Sequence, residues 1–100
     1  MDWRFVRRLD ALRHSFGEPM IVTSGYRCPA HNDSVSTTGL DGPHTTGLAA
    51  DIGISGAAAL DLVLLSNFGG LGINQKGPHE KRFIHLDDLD GPMRPRIWSY

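Results

Sequence analysis

The hydrophobic and polar positions of this chain repeat with two different periods. Between residues 2 and 16 the apolar side chains recur every three or four positions, which predicts an amphipathic helix. Asp2 is a suitable N-cap for this helix, and Gly17 is suited to end it. Residues 55–66 predict a second helix, with Ser55 as its N-cap. The apolar side of this second helix is expected at Ala59, Leu60, Val63 and Leu64.

Short apolar runs predict the strands. They cover residues 20–23, 49–54, 71–74, 82–87 and 96–100. In the fourth run Phe83 and His85 alternate with Ile84 and Leu86, so the two pairs face opposite sides of a strand. Loops are predicted over residues 36–46 and 75–81, and a helical turn from Pro29. We therefore expect one α+β domain over residues 1–100, with helices flanking a small antiparallel sheet.

Composition narrows the class of protein. The chain has 100 residues, 40% of them hydrophobic, which is enough for the core of one domain. Its net charge of −1 excludes the strongly basic surface typical of nucleic-acid-binding proteins. No segment has the pattern of a signal peptide, and the longest apolar stretch is too short to span a bilayer. We expect a monomer, cytoplasmic at synthesis, with no nucleic-acid or membrane partner.

Two histidines and one aspartate stand in distinctive local motifs. His44 and Asp51 begin and end the run HTTGLAAD, and His85 lies in FIHLD. Two neutral imidazoles and one carboxylate form the ligand set of many catalytic zinc sites, which leave the fourth position to water. Structural zinc sites more often use four ligands, mostly cysteine, and this chain has one Cys. If the three side chains converge, they favour metal-assisted hydrolysis over a structural metal.

These motifs resemble those of the zinc D-Ala-D-Ala carboxypeptidase family of cell-wall peptidases. The similar features are SGYR, then H-x-x-G-x-A-x-D, then F-[IV]-H-[LIV]-D, in this order between residues 21 and 100. Relatives include the vancomycin-resistance dipeptidases and the L-Ala-D-Glu endolysins of phages, and the fold is shared with the hedgehog signalling domain. The resemblance implies one zinc ion bound by His44, Asp51 and His85, with Arg27 in contact with the substrate.

The same resemblance implies a metallopeptidase that hydrolyses peptide bonds of peptidoglycan stem peptides, as a carboxypeptidase or as an endopeptidase. Arg27 would bind a substrate carboxylate through its planar fork, or stabilise charge that develops on the scissile carbonyl. A phage origin would reconcile a cell-wall substrate with the lack of a signal peptide. The alternative is a catalytically inactive, metal-containing module that binds the cell wall or forms part of a virion.

The general base is the point at which this sequence departs from the family. Several relatives have Glu or Asp three residues before the last histidine, where this chain has Arg82, which cannot accept a proton. Asp87 shares the strand face of His85 and is the preferred candidate, while Glu80 and His79 remain open. In a second interpretation, Asp87 only holds a ligand histidine by a hydrogen bond. The missing acid also supports the inactive alternative.

Overall fold

The computed structural model describes residues 2–25 and 43–100. Its helices are α1 (Trp3–Phe16) and α2 (Gly56–Leu65). Its strands are β1 (Ile21–Ser24), β2 (Ala49–Gly53), β3 (Gly70–Asn74), β4 (Phe83–Asp87) and β5 (Arg96–Ser99). Two short 3-10 turns cover Pro43–Thr46 and His79–Lys81. The predicted helical turn from Pro29 and most of the first predicted loop lie outside the described residues.

Helix α1 begins and ends where its sequence predicts. The Asp2 carboxylate accepts hydrogen bonds from the backbone N–H groups of Arg4 (2.8 Å) and Phe5 (3.3 Å), which have no partner within the helix. Gly17 ends the helix with φ at 76°, a left-handed conformation that glycine adopts at little cost. The buried side of the helix consists of Phe5, Leu9 and Leu12.

Helix α2 forms as predicted, but its buried side differs from the prediction. Ala59 and Leu62 are buried, whereas Leu60 and Leu64 are 59% and 74% exposed. Almost every position of α2 is apolar, so periodicity alone does not single out the side that meets the sheet. Ser55 precedes the helix without a capping bond from its side chain. Neither helix in the described part of the chain is long and apolar enough to cross a membrane.

The strands in residues 2–25 and 43–100 form one sheet in the order β1-β2-β4-β3-β5. The pairs β1–β2, β2–β4 and β3–β4 are antiparallel, as predicted. The remaining pair, β3–β5, is parallel, so the sheet is mixed. The direction of β5 follows from the connection after β4. This connection passes the end of β3 where that strand begins, so β5 then runs along β3 in the same direction. The fold is α+β, in agreement with the prediction.

The two faces of the sheet have different surroundings. Both helices pack on one face, where the hydrophobic core consists of Phe5, Leu9, Leu12, Ala50, Ile52, Ala59, Leu62, Ile84 and Leu86. Successive side chains of a strand point to opposite faces. Asp51, His85 and Asp87 therefore lie on the face away from the helices, and the predicted alternation in β4 is confirmed.

Candidate metal centre

Strand pairing brings two of the predicted ligands together. Asp51 and His85 are 34 residues apart in the chain but lie directly opposite each other in the β2–β4 ladder. His44 reaches the same place from the 3-10 turn Pro43–Thr46, which precedes β2. All three side chains are buried, with exposed fractions of 6% for His44, 8% for Asp51 and 2% for His85. The fold thus assembles the predicted set on one face of the sheet.

Both imidazoles converge on a single carboxylate oxygen. His44 Nε2 lies 3.2 Å from Asp51 Oδ1, and His85 Nδ1 lies 2.9 Å from the same atom. The three ligand atoms all lie within 4.8 Å of one another. Ligand atoms around a tetrahedral zinc ion with bonds of about 2.1 Å are about 3.4 Å apart. The three donors can therefore hold a metal ion after small movements, and two imidazoles with one carboxylate suit zinc.

The outer nitrogen of each histidine has a partner that determines which nitrogen faces Asp51. His44 Nδ1 donates to the carbonyl oxygen of Gly25 at 2.8 Å. His85 Nε2 donates to Asp87 Oδ2, also at 2.8 Å. Metal-binding histidines almost always donate their second N–H to such an acceptor, which fixes the tautomer and the ring orientation. The site has this arrangement on both of its histidines.

The charges of the site are set by the same contacts. Burial alone would raise the pKa of Asp51, but the His44 and His85 imidazoles in contact with its Oδ1 lower that pKa to about 2. Burial alone would lower the pKa of His85, but its hydrogen bonds to Asp51 and Asp87 raise that pKa above its ordinary value. Asp51 is therefore ionised at neutral pH, as a metal ligand must be.

Comparison with known proteins agrees with this geometry. A family model described as Peptidase M15 matches residues 3–87, a span that contains all three converging side chains. The chain belongs to the peptidase M15 family. The match confirms the predicted resemblance to the zinc D-Ala-D-Ala carboxypeptidases, and peptidases of this family are metal-dependent. Searches of curated proteins and of solved structures gave no significant match.

In this M15 peptidase Asp87 lies behind His85. Its side chain is completely buried, and Arg94 donates to both of its oxygens, from Nε to Oδ1 at 3.0 Å and from Nη2 to Oδ2 at 2.9 Å. Burial alone would raise the pKa of Asp87, but the bonds from His85 and Arg94 lower it to about 2. The two nitrogens of an imidazole point away from each other. Asp87, at His85 Nε2, therefore lies on the opposite side of the ring from Asp51, at His85 Nδ1.

Several residues around His85 were missed by sequence reasoning. The ring of Trp98 on β5 packs against that of His85, with centroids 5.2 Å apart. Gly70 and Gly72 on β3 lie opposite Asp87 and His85. A Cβ added to Gly70 would come within 2.1 Å of the Asp87 carboxylate, and one on Gly72 within 2.7 Å of the Trp98 indole. The observed strand begins one residue before the predicted run 71–74, at Gly70. Gly72 within that run was the available signal, since a glycine in a strand marks a close approach from a neighbour.

The other predicted site residues of this M15 peptidase lie elsewhere. Arg27 is outside the described residues. Glu80 and His79 are exposed in the 3-10 turn that leads into β4. Arg82, which replaces the acid of some relatives, lines a groove beneath α2 together with Ile84, and its Nε donates to the carbonyl oxygen of Gly77 at 3.0 Å. Arg82 therefore lies on the helix side of the sheet, away from His85.

Proposed function

We propose that this M15 peptidase is a zinc enzyme that hydrolyses peptide bonds in the stem peptides of peptidoglycan. It would act as a D-Ala-D-Ala carboxypeptidase or as an endolysin-type endopeptidase, at the cell wall and as a phage protein. One observation carries the proposal: His44 Nε2, Asp51 Oδ1 and His85 Nδ1 converge in a chain from a metal-dependent peptidase family. Three protein ligands leave one coordination position open, which is typical of catalytic rather than structural zinc.

The three residues are proposed to hold one zinc ion. A zinc ion bound there would lower the pKa of a coordinated water to about 7 and polarise the scissile carbonyl. The contribution of the protein is to keep the carboxylate of Asp51 ionised and to hold all three ligands in place. Asp51 and His85 lie on paired central strands, which hold ligands more accurately than loops do. Their burial also keeps competing water away from the hydrogen bonds that orient them.

Arg27 is proposed to bind the substrate. Its guanidinium can form two parallel hydrogen bonds with a carboxylate, and stem peptides of peptidoglycan carry carboxylates. Gly25, two residues earlier in the SGYR motif, accepts the hydrogen bond from His44 Nδ1. The SGYR motif therefore contributes to the surroundings of the proposed metal ligands through the carbonyl oxygen of Gly25.

The general base is proposed to be one of the acidic residues near β4. Catalysis by Asp87 stays a prediction. Its hydrogen bonds with His85 and Arg94 favour the second interpretation, in which it supports the ligand histidine. If Asp87 has that role, Glu80 becomes the preferred candidate for the general base, and His79 in the same turn is the other candidate. Both are exposed in the turn that leads into β4, and base catalysis by either one requires its side chain to come within hydrogen-bond reach of the attacking water.

Digestion of purified peptidoglycan tests the proposed function. We expect the zinc-loaded protein to release fragments whose masses identify the cleaved bond. Free D-alanine would indicate a carboxypeptidase, and released peptides would indicate an endopeptidase. A chelator, or the variant Asp51→Asn, should abolish the release. If the zinc-loaded protein binds metal but cleaves none of several stem-peptide types, the inactive wall-binding or virion module replaces this proposal.

A further inference from the structure

We propose that Arg94 and Asp87 are a positioning pair, which holds the ring of His85 in the orientation that metal binding requires. The inference rests on the proposed zinc site but concerns two residues that are not ligands. It assigns a role to Arg94, a residue in the connection between β4 and β5 that no motif of the sequence singles out.

The first argument is that the Asp87 carboxylate is fixed in place. Its Oδ1 accepts from Arg94 Nε at 3.0 Å and from the backbone N–H of Leu89 at 3.3 Å. Its Oδ2 accepts from Arg94 Nη2 and from His85 Nε2 at 2.9 and 2.8 Å. A bidentate arginine fork sets the plane of the carboxylate as well as its position. The acceptor that faces His85 therefore has one orientation, and the ring must follow it.

The second argument is that Asp87 needs a cation to serve as a buried acceptor. The side chains of Asp87 and Arg94 are 0% and 11% exposed. A buried carboxylate without a partner is strongly destabilised, and loss of the guanidinium would leave Asp87 unpaired. Arg94 therefore keeps the acceptor of His85 Nε2 in place at the end of β4.

The third argument is that the surrounding strands make room for the pair. Gly70 lies opposite Asp87 in the β3–β4 ladder, and any Cβ there would collide with the carboxylate. The Trp98 ring contacts both His85 and Arg94, with its centroid 5.2 Å from the His85 centroid and 5.2 Å from Arg94 Cζ. The indole therefore supports the guanidinium and the imidazole from the same strand, β5.

Zinc affinity of the intact chain tests the inference without any substrate. We expect Asp87→Asn and Arg94→Gln each to weaken zinc binding by about 10–100-fold, measured by competition with a chromophoric chelator, which is the usual effect of losing an outer partner of a ligand histidine. Arg94→Lys keeps the charge but loses the fork, so it should restore part of the affinity. The matched control is Arg96→Gln, because Arg96 also stacks on Trp98, at 5.7 Å, yet makes no hydrogen bond to Asp87 in the described structure.

A spectroscopic measurement separates positioning from general loss of structure. The d–d absorption of the cobalt-substituted protein should change in Asp87→Asn and Arg94→Gln and stay unchanged in Arg96→Gln. If Asp87→Asn does not fold, the contrast between Arg94→Gln and Arg94→Lys decides the question. Folded Arg94→Gln that binds zinc as tightly as the wild type, with an unchanged cobalt spectrum, overturns the positioning pair and leaves the zinc site standing. A wild-type protein that binds no zinc overturns the proposed function itself, and the pair with it.

Discussion

The two faces of the sheet use the same strands but hold their side chains in different ways. On the helix face, Ile52, Ile84 and Leu86 are at most 1% exposed and are held by packing against α1 and α2. Packing is not directional, so side chains of similar size can replace one another at modest cost. On the other face, His85 and Asp87 are buried to the same degree, at 2% and 0% exposed, but they are held by directional hydrogen bonds. The first face stabilises the fold, and the second defines the site.

The polar face depends on a continuous series of contacts. It runs from Arg94 to Asp87, from there to His85 and Asp51, and ends at His44 and the carbonyl oxygen of Gly25. A residue in this series cannot be replaced by another of similar size, because each donor or acceptor has a specific partner. Removing one partner leaves a buried polar group unsatisfied, which costs more than the bond itself contributes.

The largest expected effect distinguishes catalysis from positioning on the polar side. If Glu80 is the base, Glu80→Gln should lower turnover on peptidoglycan peptides by about 10²–10⁴-fold and leave zinc affinity unchanged. Asp87→Asn should then lower turnover and zinc affinity together. Steady-state kinetics and chelator competition on the same preparations provide both readouts. A different outcome would identify Asp87 as the base. In that case Asp87→Asn lowers turnover by that amount and keeps full zinc affinity, while Glu80→Gln leaves turnover unchanged.

A smaller effect is expected from the helix face, at a position between the two polar residues of β4. Leu86→Ala removes a side chain that is 0% exposed, and we expect it to lower the free energy of unfolding by about 2–5 kcal/mol. Urea unfolding in the presence of a chelator measures this loss. Under native conditions the folded Leu86→Ala protein should still bind zinc. Loss of zinc binding in a variant shown to be folded would mean that the two faces are not independent.

Substitution of Arg27, the residue proposed to bind the substrate, should change neither the stability that the helix face provides nor the zinc binding of the polar face. Arg27→Lys keeps the positive charge but loses the planar fork, so we expect kcat/KM to fall by roughly tenfold, the scale of one charge-assisted hydrogen bond. Zinc content and unfolding free energy should match the wild type. Unchanged kinetics in Arg27→Lys would remove it from the substrate site.

A further effect is expected in the pH dependence of stability of the metal-free protein. The pKa of Asp87 is lowered from 3.8 to about 2 in the folded state, so its contribution is present above about pH 4 and is lost as the pH falls from 4 to 2. The pKa of His85 is raised, so its contribution is present below about pH 6.5 and is lost as the pH rises through the raised value. Urea unfolding at several pH values should show that Asp87→Asn loses stability relative to the wild type at pH 5 but much less at pH 2. A constant difference across this range would contradict the assignment.

The proposed ligand set could be derived from the sequence because its information is local. His44, Asp51 and His85 stand in short motifs, and the period of β4 indicates that His85 faces away from Ile84 and Leu86. The positions of distant strands are not encoded in this way. The parallel pairing of β5 with β3 brings Trp98 next to His85, and no periodicity in residues 96–100 indicates that neighbour.

Two further features of the structure could not be predicted from the sequence, because each depends on contacts between distant parts of the chain. The buried side of α2 could not be read from its pattern, because nearly all of its positions are apolar and the tertiary contacts decide among them. Arg94 looks like one of several surface arginines in the sequence. Its role depends on the fold, because the connection between β4 and β5 brings the guanidinium back to the carboxylate of Asp87 at the end of β4.

The central claim is that one zinc ion is held by His44, Asp51 and His85 on the polar face of the sheet. Metal analysis of the purified protein, loaded with zinc and then dialysed, tests this claim most directly. The wild type should retain close to one equivalent of zinc per chain, and His85→Ala should retain almost none while its far-ultraviolet circular dichroism confirms a folded chain. Full zinc occupancy in His85→Ala, or none in the wild type, would contradict the claim.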